Sequence, residues 1–227
     1  MNLIICGDSW SNGAELKLGE KNFGQILAQR LNATLCNQSV DASSIPHLIL
    51  QLRTALARID KSQSSVAVFF ITSPDRDVIW SDTLPKGSGF METHPLPHRR
   101  LEQIFLNSCD PLHEHWYKTY YSAELANFRA NTSLITLQTM CKLHGIQDFY
   151  IRGWDRFDLW SEVDVSKFYN QGRSTAFDFF TNRPGQIPNM VFNRTCKYIW
   201  PNGSHPNQLG HDLIADKLFQ WIEPHVH

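Results

Sequence analysis

The 227-residue sequence predicts an α/β protein with three α/β/α layers around a parallel sheet of about five strands, flavodoxin-like in strand order. Three observations carry this. Short β-rich apolar runs alternate with stretches of helical periodicity along most of the chain. The strongest run, SSVAVFFIT at 64–72, is apolar without alternation, as expected of a strand covered on both faces. The composition (42% hydrophobic, 19% charged, net charge −1) is that of a globular chain able to bury a sizeable core.

The elements follow in order. LIICG (3–7) reads as the first strand. NFGQILAQRLN (22–32) places Phe23, Ile26, Leu27 and Leu31 at helical spacing, and ATLCNQS (33–39) reads as the second strand. IPHLILQLRTALARI (45–59) is helical, with Pro46 suited to a first turn, and leads into the third strand at 64–72. A long helix over about 122–144 closes at Gly145, before the strand IQDFYIRG (146–153). The last helix, about 207–222, sets Leu209, Leu213, Ile214, Leu218, Trp221 and Ile222 on one side. Strand-helix alternation of this kind implies right-handed crossovers and helices on both faces of the sheet. Two stretches depart from it. Residues 80–120 carry Pro85, Pro95, Pro97 and Pro111, and residues 154–201 are crowded with aromatics. Both read as insertions over the carboxyl edge of the sheet, within a single domain spanning 1–227.

Several function classes drop out. Scattered Lys and Arg at near-zero net charge argue against a nucleic-acid or polybasic membrane surface. The apolar start is too short for a signal-peptide core, and no run nears the ~20 apolar residues of a spanning helix, so a cytoplasmic protein is expected. Five cysteines (Cys6, Cys36, Cys109, Cys141, Cys196) without a CxxC pair give no disulfide framework and no zinc knuckle. Cys6, inside the first strand, reads as a buried thiol.

The chemistry concentrates at GDSW, where the first strand stops at Gly7-Asp8-Ser9. In open parallel sheets ligands bind beyond the carboxyl ends of the strands, which is where Ser9 falls. Asp8 and Ser9 either cap the next segment or present a nucleophile. A serine nucleophile needs a base. NGSHPNQLGH (202–211), a loop leading into the last helix, brings His205 to the same edge although it is remote in sequence.

GDSW near the N-terminus, together with HPNQLGHDLIADKL near the C-terminus, resembles the SGNH (GDSL-type) hydrolases. The resemblance brackets nearly the whole chain. It implies a three-layer fold and hydrolysis of esters, often acyl groups on lipids or carbohydrates, with no cofactor and no metal. It further implies Ser9 as nucleophile, His205 as base, and an oxyanion site on the backbone N–H groups of Ser9 and of the second-block residue. That residue is normally glycine, and NQSVDASS (37–44) puts Ala42 there. The third block is normally Gly-x-Asn-Asp. Here ITSPDR (71–76) places Pro74 where the asparagine belongs, and proline donates nothing. Thr72, Ser73 or Arg76 is left to supply the donor, with Ser73 favoured.

Three residues ahead of His205 the family pattern has aspartate, and this chain has Asn202. An asparagine oxygen can hold the ring but cannot stabilise an imidazolium; in a serine protease the same exchange costs about 10⁴ in kcat. Either a Ser9–His205 dyad works with Asn202 orienting the ring, or an acid from the aromatic stretch (Asp155, Asp158 or Asp164) replaces the aspartate. A weakly catalytic or non-catalytic binding module on the same fold is the alternative.

The remaining candidates have plainer readings. Asp8 braces its turn and His211 is structural. HEH (113–115) reads as a surface turn rather than a zinc site. Arg76 either anchors a substrate carboxylate or phosphate, or pairs with Asp75 or Asp77. The aromatics at 154–180 either stack on sugar rings or fill a lid's own small core. Asn12 and Glu15 either touch substrate or face solvent from a helix.

Overall fold

The computed structural model of the chain describes residues 1–81, 100–104, 111–153, 156–181, 196–200 and 205–226, with the backbone alone at 78–81, 100–104 and 112. Four strands form a parallel sheet: β1 (Asn2–Cys6), β2 (Thr34–Asn37), β3 (Ser65–Ile71) and, past a separate hairpin of β4 (Asp77–Ser81) and β5 (Arg100–Ile104), β6 (Gln147–Arg152). Their order is β2-β1-β3-β6, with Ile4 of β1 opposite both Cys36 and Ala67.

The expected count of about five strands is corrected to four among the described residues. Among the described residues, β6 is flanked on its outer edge by isolated parallel bridges, Tyr150 to Phe168 and Arg152 to Thr175, where a fifth strand would lie. Between those bridges the chain turns through 3₁₀ segments with Asn170, Gln171 and Gly172 all at positive φ, a conformation incompatible with a continuous ladder.

Successive residues of the central strands face opposite layers. Leu3, Ile5, Val66, Val68 and Phe70 pack against α2 (Phe23–Arg30) and α6 (Gln208–Ile222). Ile4, Cys6, Ala67, Phe69 and Ile71 pack against α3 (His47–Arg58) and α5 (Ala123–Leu143). Each fully buried large apolar side chain contributes about 1.5–3 kcal/mol relative to exposure. The helix starts are built from local chemistry: Asn22 and Gln25 form a reciprocal capping box on α2, Ser122 caps α5, and Asn207 caps α6. On α6 the buried stripe is His211, Ile214, Ala215, Leu218 and Ile222. Leu209, expected in that stripe, is 55% exposed, because His211 holds the core position one turn nearer the start of the helix.

The irregular stretches are more integrated than expected. Phe168 stacks on Tyr150 (5.0 Å), while Phe177 and Phe180 join the layer of Trp10 and α6, so these aromatics complete the two main layers rather than a separate lid core. HEH is not a turn. It lies in α4 (Pro111–Tyr120), where His113 is buried and His115 exposed. No helix among the described residues is long and apolar enough to cross a membrane.

Candidate active site

β1 delivers the chain into a turn that only glycine can make. A Cβ on Gly7 would lie 2.3 Å from Ser11 Oγ and 2.9 Å from Phe70 Cβ. Gln51 of α3 holds that glycine from the opposite side, accepting its N–H (2.8 Å) and donating to its carbonyl (2.9 Å). The same Gln51 amide donates to Ser43 Oγ (2.8 Å), and Val40 N–H donates to Gly7 O (3.1 Å), so the 40–44 loop is tied beside the turn.

Asp8 caps the short helix α1 (Ser9–Asn12), its Oδ1 accepting the Trp10 N–H at 3.1 Å. Its other oxygen takes a 3.0 Å ion pair from Arg76. Burial pushes the Asp8 carboxyl above its usual range, against the opposing pull of Arg76 and of the Trp10 N–H. Asp8 therefore braces the turn, as expected, but Arg76 pairs with neither Asp75 nor Asp77. Asp77 pairs instead with Arg129.

Ser9 is the first residue of α1 and 8% exposed. Its Oγ lies 2.9 Å from His205 Nε2. His205 is positioned by pairing on either side of it: Trp200 N–H donates to His205 O (3.1 Å), and Asn207 N–H donates to Tyr198 O (2.9 Å). The approach of these segments is close enough that a Cβ on Gly210 would meet Tyr198 O at 2.3 Å. A neutral His205 with its proton on Nδ1 can accept the Ser9 hydroxyl proton at Nε2.

The far side of the ring differs from expectation. Nδ1 is buried and has no aligned hydrogen-bond partner among the described residues, yet Glu15 Oε1 stands 3.3 Å away, within ion-pair distance but off the hydrogen-bond line. Asn202 and Asp155 lie outside the described residues. Asp158 and Asp164 are exposed, and their recorded roles are elsewhere: Asp158 O accepts from Asn131, and Asp164 caps a 3₁₀ turn through Ser166. Neither reaches His205 as a replacement acid. Glu15, which read equally as helix surface, does face the ring. Asn12 donates to Asp41 Oδ1 (3.0 Å).

On the oxyanion side, Ala42 has φ +58, the left-handed conformation that the family's glycine adopts freely. Among the described residues, the backbone N–H groups of Ser9 and Ala42 donate to no other atom. Thr72 and Ser73 follow β3 directly and are 1% and 8% exposed; Thr72 lies against the Asp8 carboxyl, and Ser73 O accepts the Arg76 N–H (3.3 Å). His211, as expected, is structural: it is wholly buried, accepts the Phe23 N–H at Nδ1 (3.2 Å), and burial lowers its pKa to about 4.

No protein-family model matches this chain, and no curated protein does. Among solved structures the chain is similar to TesA, with a TM-score of 0.53 and 11% identity over 99% of each chain. It is similar at lower scores to the acetyl xylan esterase AlAXEase (0.48, 12% identity, 98% of this chain and 100% of that one). It is also similar to the lipase Lip_vut3 from a goat rumen metagenome (0.47, 13% identity, 97% and 96%). The likeness to TesA is one of fold, a three-layer α/β/α sandwich around a parallel sheet.

Proposed function

We propose that this chain, on its SGNH-hydrolase fold, is a serine esterase that hydrolyses carboxylic esters without a cofactor. Ser9 Oγ attacks the ester carbonyl carbon while its proton passes to His205 Nε2. The tetrahedral oxyanion rests on the N–H groups of Ser9 and Ala42 and a hydroxyl at Ser73. As the C–O bond breaks, His205 returns the proton to the leaving alcohol. Water, deprotonated by the same nitrogen, then releases the acid and restores Ser9. The substrate class is a small-molecule or glycan ester, of the carbohydrate or lipid kind that the motif resemblance implies.

The observation that carries this reading is the 2.9 Å separation of Ser9 Oγ and His205 Nε2 at the carboxyl edge of the sheet. It converts a hydroxyl at a turn into one with a base in reach. The departures at Pro74 and Asn202 support a slow enzyme, because one lost oxyanion donor typically costs on the order of 10²–10³ in rate.

A fluorophosphonate probe tests the reading without knowledge of the substrate. Wild type is expected to gain one adduct on Ser9, lost in Ser9→Ala and nearly lost in His205→Ala. Hydrolysis of small acetyl esters is expected to fall in parallel. Folded wild-type protein that stays unlabelled overturns the esterase and favours a binding module on the same fold.

A further inference from the structure

We propose that Glu15, on the turn that leaves the Ser9 helix, is the carboxylate that positions His205, in place of the aspartate that the family pattern has where this chain carries Asn202. The inference rests on the esterase reading above and deepens it.

Three observations meet at this residue. The first is proximity: with Nε2 of His205 engaged on Ser9 Oγ, the remaining ring nitrogen is buried, and Glu15 Oε1 at 3.3 Å is the carboxylate recorded beside it. The Glu15 side chain is 42% exposed and the His205 side chain 20%, so the carboxylate has room to rotate onto the Nδ1–H line.

The second is backbone strain. Glu15 has φ +69, a left-handed conformation that a side-chain-bearing residue rarely adopts. Such strain persists where surrounding structure over-determines it, and it concentrates at functional sites. Here Ala14 N–H donates to Ser9 O (3.0 Å) and Leu16 N–H to Gly13 O (3.2 Å), closing the turn on both sides of Glu15.

The third is a tie between the two segments. The Lys17 ammonium sits 4.6 Å over the Trp200 ring, and Trp200 N–H donates to His205 O. The segment that presents the histidine and the turn that presents the carboxylate are thus held together two residues beyond Glu15.

The other titratable groups around His205 are already engaged. Asp8, under the nucleophile, serves Trp10 N–H and Arg76. His211 of α6 is neutral in its buried site and adds no opposing charge near pH 7. When Ser9 gives its proton to Nε2, the ring becomes an imidazolium whose Nδ1–H faces the Glu15 carboxylate. Glu15 acts through the ring and touches no reacting atom, so it is a positioning residue.

The full chain tests this in two readouts. Fluorophosphonate labelling of Ser9 is followed against pH in wild type, Glu15→Gln and Glu15→Asp, and urea unfolding of the same proteins reports any merely structural loss. Because the pair is partly exposed, Glu15→Gln is expected to move the pH profile of labelling while leaving the urea unfolding midpoint in place. It is also expected to slow labelling roughly three- to tenfold without abolishing it. Glu15→Asp, which keeps the charge, is expected to recover part of both. A Glu15→Gln protein that labels Ser9 at the wild-type rate and with the wild-type pH profile overturns Glu15 and leaves the esterase standing. Folded wild-type protein in which Ser9 never labels at any pH overturns the esterase, and with it any catalytic part for Glu15.

Discussion

His205, ahead of α6, turns Nε2 to Ser9 at 2.9 Å, whereas His211, at the start of α6, is wholly buried and accepts the Phe23 N–H at Nδ1. The two rings share a segment and a residue type. What separates them is access to water and to charge. His211 stacks on Phe23 (centroids 6.1 Å apart) in the layer between α2 and α6, where an imidazolium would be poorly solvated, and burial lowers its pKa to about 4. His205 lies on the rim of the sheet, with Ser9 on one nitrogen and Glu15 near the other. The comparison teaches that a histidine next to a helix start acquires its work from what surrounds each nitrogen, not from the motif that contains it.

The largest effect expected from this contrast is a division of labour between two substitutions. His205→Gln is expected to cut ester hydrolysis by about 10⁴ and to move stability by under about 0.5 kcal/mol, since the ring is partly exposed and supports no core. His211→Gln is expected to do the reverse: activity within a few-fold of wild type, and a stability loss of about 1–3 kcal/mol from a disturbed buried hydrogen bond. Hydrolysis rates beside urea unfolding of both variants check the pair. A His211→Gln protein as inactive as His205→Gln, yet fully folded, would break the comparison.

A second effect concerns pH. The folded pKa of His211, about 4, lies below its ordinary value of 6.5, so between the two the unfolded chain binds more protons than the native one. The stability this group contributes is full above the unfolded value and is lost as pH falls from about 6.5 to about 4. Its size is about 2–3 kcal/mol. Urea midpoints measured at pH 7 and pH 4.5 are expected to separate by that amount more in wild type than in His211→Gln. Parallel curves for the two proteins would place the acid sensitivity elsewhere.

The smallest effect sharpens the contrast from the other side of Ser9, where a residue is expected to act through its backbone alone. Ala42→Gly relieves the φ of +58 and is expected to raise stability by roughly 0.5–1 kcal/mol, with hydrolysis retained because the N–H donor survives. A loss of activity in that variant would assign the Ala42 methyl a part in holding the loop.

Much of the architecture was readable along the chain. The runs at 3–7, 33–39, 64–72 and 146–153 became the four parallel strands, with ends shifted by a residue or two, because each is a local pattern, covered on both faces in the central strands and half-exposed at the β2 edge. The paired motifs GDSW and HPNQ placed Ser9 and His205 correctly on one edge for the same topological reason. HEH was misread as a turn, although Pro111 at a first helical position was a usable signal for α4. The Arg76–Asp8 pair could not be read, since two other acids flank Arg76 in the chain while Asp8 is brought beside it only by the fold. The Gln51 bridge between Gly7 and Ser43 was equally hidden, lying on the buried face of α3 like any core residue.

Sequence alone therefore determined what depends on near neighbours: strand and helix periods, caps, and a glycine at a turn where no side chain fits. Tertiary structure decided which partners meet there. It joined Glu15 to His205 through a left-handed turn of a residue that rarely adopts one, across nearly the whole chain. Left-handed backbone at a glutamate carries no mark in the sequence; local hydrogen bonds to Ser9 and Gly13 close the turn around it, and the Lys17–Trp200 contact that ties the turn to the His205 segment exists only once the chain has folded.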